Sequence, residues 1–440
     1  MENELKELLA KVEELQAKAD EVDEIEWVYT TEAANGSIKP IPHEENTKAL
    51  FDHYEISCRY NEMKKDLDIE IPHRTTHKDT ALNAKVVMCE DMARAHKYSH
   101  TVINDHLLLI GNQNHYHPAR DWISSKEWDE VDRVDELLET MDTPDKELAR
   151  TLLWRWLISG VAAVYMEEGF RSQGVLTLVG RQGLGKTRWL TSLVPERDWV
   201  KDGVVLDARN KDSVLQAVSR WIVELGELDA TFRKADVAAL KAFITMEEDV
   251  LRPAYAKKMD SYQRRTIFCA SVNDSDFLVD TENRRFWVIQ ANRLNPNHSI
   301  DIQQLWAQAY VAWRAGDEPH WLIPEEAEML EKHNRVFEAI DPIIERFNDV
   351  FANPRGYEEN VDVEKLNSTA ICRELGVESP NKRDTNKLAA YLQQRGFDRR
   401  KMDKAFYVTR KNDQFERLEE FVNRRKTNGK VIDLIAQRTW

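Results

Sequence analysis

The chain has 440 residues, 42% of them hydrophobic and 32% charged, enough apolar material for two to four packed domains. A formal net charge of −16 argues against a surface that coats nucleic acid all over. No apolar run approaches the ~20 residues needed to cross a bilayer, and no charged-then-apolar leader follows Met1. Cys58, Cys89, Cys269 and Cys372 lack metal spacing and do not suggest a disulfide framework, so a cytoplasmic protein with no membrane partner is expected.

Residues 1–26 carry ten acids against three lysines and place Leu5, Leu8, Val12, Leu15, Ala19 and Val22 at heptad a and d positions. Three heptads are marginal alone, so the favoured reading is one amphipathic helix docked on its own protein. Residues 27–125 read as mixed and mainly helical ("NTKALFDHYEISCRYNEMKKDL", "KVVMCEDMARAHKY"), with few clear strands. His115 and His117 have the His-hydrophobic-His form of nicking enzymes, but such an enzyme also needs flanking strands and a positioned Tyr. His73 and His77 follow Pro72 and enclose two threonines, which argues against a helix; no metal site is proposed at either pair. Residues 126–172 read as a helical collar with Trp154, Trp156 and Tyr165 on an apolar face. Within it "LLWRWLISGVAAVYM" is interrupted by Arg155 and reads as a buried helix.

From residue 173 short apolar strands alternate with helices, the pattern of a parallel α/β sheet. "GVLTLV" reads as a buried strand, and "GRQGLGKTRWL" follows it into a helix. Gly180, Gly183 and Gly185 allow backbone N–H groups to curl around a β-phosphate, Lys186 reaches the β/γ oxygens, and Thr187 offers a magnesium ligand. ATP and Mg2+ are the expected cofactors. A second acidic element must follow, since the metal needs an outer ligand and the attacking water a base. "RWIVELGELDA" supplies Glu224 for the metal and Glu227 for the base; the two roles are interchangeable on sequence grounds. "RRTIFCASVNDSDFL" is another apolar strand, with Asn273 at its tip to sense the γ-phosphate, and "DTENRRFWVI" presents Arg284 and Arg285 as candidate fingers for a neighbouring subunit.

"LVGRQGLGKT", "WIVELGELD", "CASVND" and "DTENRRFWVI", together with "HPARDWISSKEWDEVDR" upstream, resemble the virulence-associated protein E family, itself similar to superfamily 3 helicases. The resemblance spans roughly residues 105–300. It implies an AAA+-like P-loop ATPase with a central parallel sheet, and a homo-oligomeric ring, usually hexameric, that translocates on single-stranded DNA. It also implies a pore hairpin within "EEDVLRPAYAKKMDSYQRR", where Lys257 and Lys258 would meet the strand. No acidic catalytic pattern precedes the ATPase, so primase activity is not expected.

Residues 381–411 reverse the charge, with ten Lys/Arg against three Asp. The segment around them reads helix, turn, helix, hairpin, a winged helix-turn-helix. Ser368 and Thr369 would cap the first helix, and Gly376 and Gly396 would end the two helices. Lys382, Arg383 and Lys387 on the second helix and Arg399, Arg400 and Lys401 in the wing would contact duplex origin DNA. The expected domains are therefore a helical or mixed region (1–125), a collar (126–172), the ATPase (173–300), a helical lid (301–348), the winged helix (349–412) and a tail (413–440). A DNA helicase of a phage or mobile element is the leading reading. An origin-binding initiator and a nucleotide-switched scaffold are the alternatives; a small-molecule kinase would leave Asn273 and the arginines idle.

Overall fold

The computed structural model describes residues 25–205, 210–226, 237–251, 258–273, 277–278, 283–338, 342–352, 364–397, 399–401 and 405–411. The heptad segment and Glu227 and Lys257 lie outside them. The chain divides into two units, Met1–Phe337 and Glu338–Trp440.

The first unit begins with a small hairpin, β1 (Thr30–Glu32) with β2 (Ile38–Pro40), then α1 (Glu44–His53), β3 (Ser57–Asn61) and β4 (Asp66–Glu70). "NTKALFDHYEISCRYNEMKKDL" is therefore not one helix. Glu55, at φ 53°, turns the chain out of α1, and alternating burial through Leu67 and Ile69 marks a half-buried antiparallel pair. Helices α2 (Ala81–Ala95) and α3 (Ile103–Gln113) cover this pair, and β5 (His115–Tyr116) adds to β3 in parallel. Leu50, Cys89, Leu107 and Ile110 close the core between them.

After α4 (Pro118–Ile123), α5 (Val134–Glu139) and β6 (Met141–Asp142) comes α6 (Lys146–Tyr165), whose central residues are buried almost all round. Arg155 survives inside it because Glu326 takes its guanidinium in a fork, at 2.9 Å from Nε and 2.8 Å from Nη2, and Glu318 takes Nη1. Gly160 faces a tryptophan ring at such close approach that a Cβ would stand 2.6 Å from Trp306.

Strands β7 (Val175–Val179), β8 (Val200–Val204), β9 (Ile222–Leu225), β12 (Ile267–Val272) and β13 (Phe286–Gln290) form an all-parallel sheet in the order β13-β7-β12-β9-β8. Their unbroken apolar runs are what a sheet covered on both faces requires. Leu176, Leu178, Ile222, Ile267 and Trp287 face α6 and α10 (Ile302–Ala315). Val175, Val179, Val223, Phe268 and Val288 face the other way, into a core shared with α9 (Val237–Ile244). Helices α7 (Lys186–Thr191) and α8 (Lys211–Val218) link the first three strands in chain order, and α11 (Pro324–Asn334) follows α10. Trp156, Trp221 and Trp306 pack across the α6 side, and each indole N–H finds a backbone carbonyl, of Phe268, Gly160 and Leu193 respectively. A separate hairpin, β10 (Glu248–Leu251) with β11 (Asp260–Gln263), precedes β12, and β14 (Arg293–Leu294) pairs with β6.

The second unit holds α12 (Pro342–Val350), β15 (Phe351–Ala352), β16 (Glu364–Leu366), α13 (Ser368–Glu374), α14 (Lys382–Gln394), β17 (Arg399–Lys401) and β18 (Ala405–Lys411). Strand β18 pairs antiparallel with β15, β16 and β17. Phe347 and Val350 of α12 pack with Ile371, Leu388 and Leu392, so this unit begins ahead of the boundary expected at residue 349. Helix α13 is capped by Asn367, whose side chain accepts from the Ala370 N–H at 2.8 Å, and not by Ser368 or Thr369. Ser368 is already inside the helix, and Asn is the better cap by one position.

Candidate functional site

The loop after β7 reaches the carboxyl end of the sheet where the strand order reverses, the place at which open parallel sheets bind ligands. Gly183 and Gly185 have φ of 82° and 85°, a conformation that strains other residues, and Gly185 leads directly into α7. That turn carries Lys186 back over the loop. Its Nζ donates to the carbonyls of Gly180 (2.6 Å) and Arg181 (3.2 Å) and to Asn273 Oδ1 (2.9 Å). Asn273 is the first residue past β12, which lies beside β7. Lysine and asparagine, 87 residues apart, therefore meet at one point.

Thr187 makes the second convergence. Its hydroxyl donates to Glu224 Oε1 at 2.9 Å, from α7 to β9 across β12. Glu224 is buried, at 4% exposed. The hydroxyl of Ser271, on β12, donates to the same oxygen. Sequence reading passed over Ser271, because a serine in a buried strand carries no local signal; only its position two residues before Asn273, on the strand next to that of Glu224, could have raised it. Oxygen donors from Thr187 and Glu224 suit a small hard cation such as Mg2+. Cys269 faces Glu224 in the strand register, and burial pushes its thiol well above the ordinary range, so it is an inert packing group.

Arg284 and Arg285 lie elsewhere. They precede β13, whose first residue, Phe286, pairs with Val175 at the start of β7. The phosphate-loop pattern begins after Val179, five residues further along, so about 16 Å of strand separates the two ends. Arg284 is exposed, and the Arg285 carbonyl accepts from the Val175 N–H at 2.8 Å. Buried Asn334 of α11 fixes this turn, donating to the carbonyls of Asn283 (3.1 Å) and Phe286 (2.9 Å). Asn334 too was missed by sequence reading.

The hairpin β10–β11 is anchored by a buried fork, Arg264 on Asp249 at 2.7 Å for both bonds. Lys258 stands exposed before β11. In the second unit Lys382 is exposed and Lys387 half-buried on α14, which also carries Arg383; Arg399, Arg400 and Lys401 make up β17. Gly376 and Gly396 turn the chain out of the two helices with φ of 86° and 74°. Among the described residues no group of three His, Cys, Asp or Glu side chains is placed to hold a metal ion. His117 is buried, with neither ring nitrogen hydrogen-bonded.

Residues 123–339 match the family model described as the virulence-associated protein E-like domain. No curated protein matches the chain. Among solved structures, an A form apo structure of the NrS-1 C-terminal region is 15% identical. It covers 83% of this chain and 98% of its own, with a TM-score of 0.43. Another apo structure of that region is 14% identical over 82% and 97% of the two chains, at a TM-score of 0.40. Within the described residues no helix is long and apolar enough to cross a membrane.

Proposed function

We propose that this virulence-associated protein E-like chain is an ATP-driven DNA helicase of a phage or mobile element, with an AAA+-like ATPase that works as a ring on single-stranded DNA. The observation that carries the reading is the meeting of Lys186, Thr187, Glu224, Ser271 and Asn273 at the carboxyl ends of three neighbouring strands. Each residue type matches one requirement of phosphoryl transfer.

Lys186 would exchange its two loop carbonyls for β/γ-phosphate oxygens while keeping Asn273 within reach of the γ-phosphate. Thr187 and Glu224 would hold Mg2+, directly or through water, and that ion would neutralise charge on the phosphates during transfer. Ser271 would keep the Glu224 carboxylate aimed at the loop. Glu227 is assigned the water-activating role on sequence alone. Lys257 and Lys258 would meet the strand, and α14 with β17 would form the basic part of a winged helix on duplex DNA. The ten cations of residues 381–411 support a second reading, an origin-binding initiator whose ATPase drives assembly.

Hydrolysis should be measured with and without single-stranded DNA, beside unwinding of a forked duplex. The helicase reading expects stimulation by the strand and ATP-dependent separation of the fork. Hydrolysis indifferent to single strands, together with tight duplex binding and no unwinding, would select the initiator.

A further inference from the structure

A cavity of about 670 Å³ opens between the β3–β4 turn, α3 and the root of the β10–β11 hairpin. It shares no residue with the phosphate loop, so it stands apart from the ATPase reading.

Lys65 lies in its wall and is only 2% exposed. Among the described residues its ammonium has neither a hydrogen bond nor an ion pair. The acids that could neutralise it are already engaged. Asp249 is gripped by Arg264, and Glu62 stands 3.0 Å from Arg265 and 3.6 Å from Arg120. Both carboxylates near Lys65 are thus already shared with arginines, and neither is left for its ammonium. Burial and the two arginines push the Lys65 ammonium down to about 7, despite Asp249 and Glu62. The Tyr60 hydroxyl, of another lining residue, is buried and has no hydrogen-bond partner. An enclosed hydroxyl without a hydrogen-bond partner costs stability unless something else completes it.

The rest of the lining narrows the ligand. Tyr60 packs against His115 with ring centroids 4.8 Å apart, and Tyr262 lies on the hairpin side, so flat rings are available for a flat group. At the rim, exposed Asp105 and Asp260 oppose Lys258, which disfavours a multiply charged triphosphate. We propose that this cavity binds a nucleotide through a single monoanionic phosphate diester, with the Lys65 ammonium and the Tyr60 hydroxyl as anchors. A diester of that charge belongs either to one unit of a nucleic-acid strand or to a free cyclic nucleotide.

The test uses the full chain with two probes, a short fluorescein-labelled oligothymidylate read by anisotropy and cyclic AMP read by calorimetry. Lys65→Met keeps the length and removes the charge; Tyr60→Phe removes only an oxygen that has no hydrogen-bond partner, so its fold is safe. Loss of a charge-assisted contact predicts that Lys65→Met weakens the bound probe by about tenfold or more, with a smaller loss for Tyr60→Phe. The unliganded Lys65→Met chain should melt no lower than wild type, since an unpaired enclosed cation is gone. Lys65-dependent binding of the oligonucleotide alone identifies a strand, and of cyclic AMP alone a free ligand. If neither probe binds, or if both variants bind as wild type does, the proposal is overturned. Lys186→Ala should leave the affinity for cyclic AMP unchanged, so failure here is distinct from failure of the ATPase reading.

Discussion

Lys186 and Thr187 are adjacent in sequence yet serve separate partners, Asn273 for one and Glu224 for the other. Replacing Lys186 by Ala deletes three donor contacts made at the mouth of the loop and none of the packing of Trp189 or Leu190 beneath it. Hydrolysis should fall below detection in a phosphate-release assay, with the melting temperature nearly unchanged; hydrolysis at the wild-type rate would refute the phosphate-loop assignment. Ser271 offers a finer probe. Its hydroxyl shares one carboxylate oxygen with Thr187, so Ser271→Ala should let Glu224 rotate while leaving both proposed metal ligands in place. Support groups of this kind typically cost 10–100-fold in metal affinity or activity. The Mg2+ concentration giving half-maximal rate should therefore rise by about tenfold, while the maximal rate falls less. A drop in maximal rate with an unchanged Mg2+ requirement would mean that Ser271 only packs.

At the scale of elements, the turn bearing Arg284 and Arg285 sits at the amino end of β13, away from the phosphate loop of its own chain. If one of these arginines acts on ATP, the expected ATP is a neighbour's, and losing such a finger costs about 10³-fold or more in rate. Lys186→Ala chains and Arg284→Ala/Arg285→Ala chains should each be inactive alone. Co-expressed and purified together through different tags, they should recover part of the wild-type rate, because some interfaces pair an intact loop with an intact arginine. Mixed assemblies as inactive as their parents, with mixing confirmed by native mass analysis, would place the arginines' role within their own chain. The elements differ in how far sequence reveals them. β7, its loop and α7 were legible because a buried apolar run, left-handed glycines and a following helix are all local. The β3–β4 pair was not, since α1 stops at a left-handed Glu55 that no sequence rule marks as a helix end. Asn334 and Ser271 were invisible for another reason. Their partners are 48 and 47 residues away, so only the folded sheet reveals the contact. The α13 cap was misread by one residue, within the ordinary slippage of helix ends.

For the whole molecule, the division at Phe337 separates the proposed motor from the unit that carries the basic segment 381–411. Removing residues 338–440 should cost duplex binding at least about tenfold while leaving most single-strand-stimulated hydrolysis, because the phosphate loop and hairpin remain. Competition with unlabelled duplex over a salt series would measure the first, and a coupled assay the second. Equal loss of both would give the second unit a part in holding the assembly together.

The placement of Arg284 and Arg285 has one more consequence. If each site borrows its finger, a lone chain is half an enzyme at both ends. Specific activity should then stop being a constant of the protein. Below the concentration at which chains meet, doubling the protein should more than double the rate, and dilution alone should switch the enzyme off.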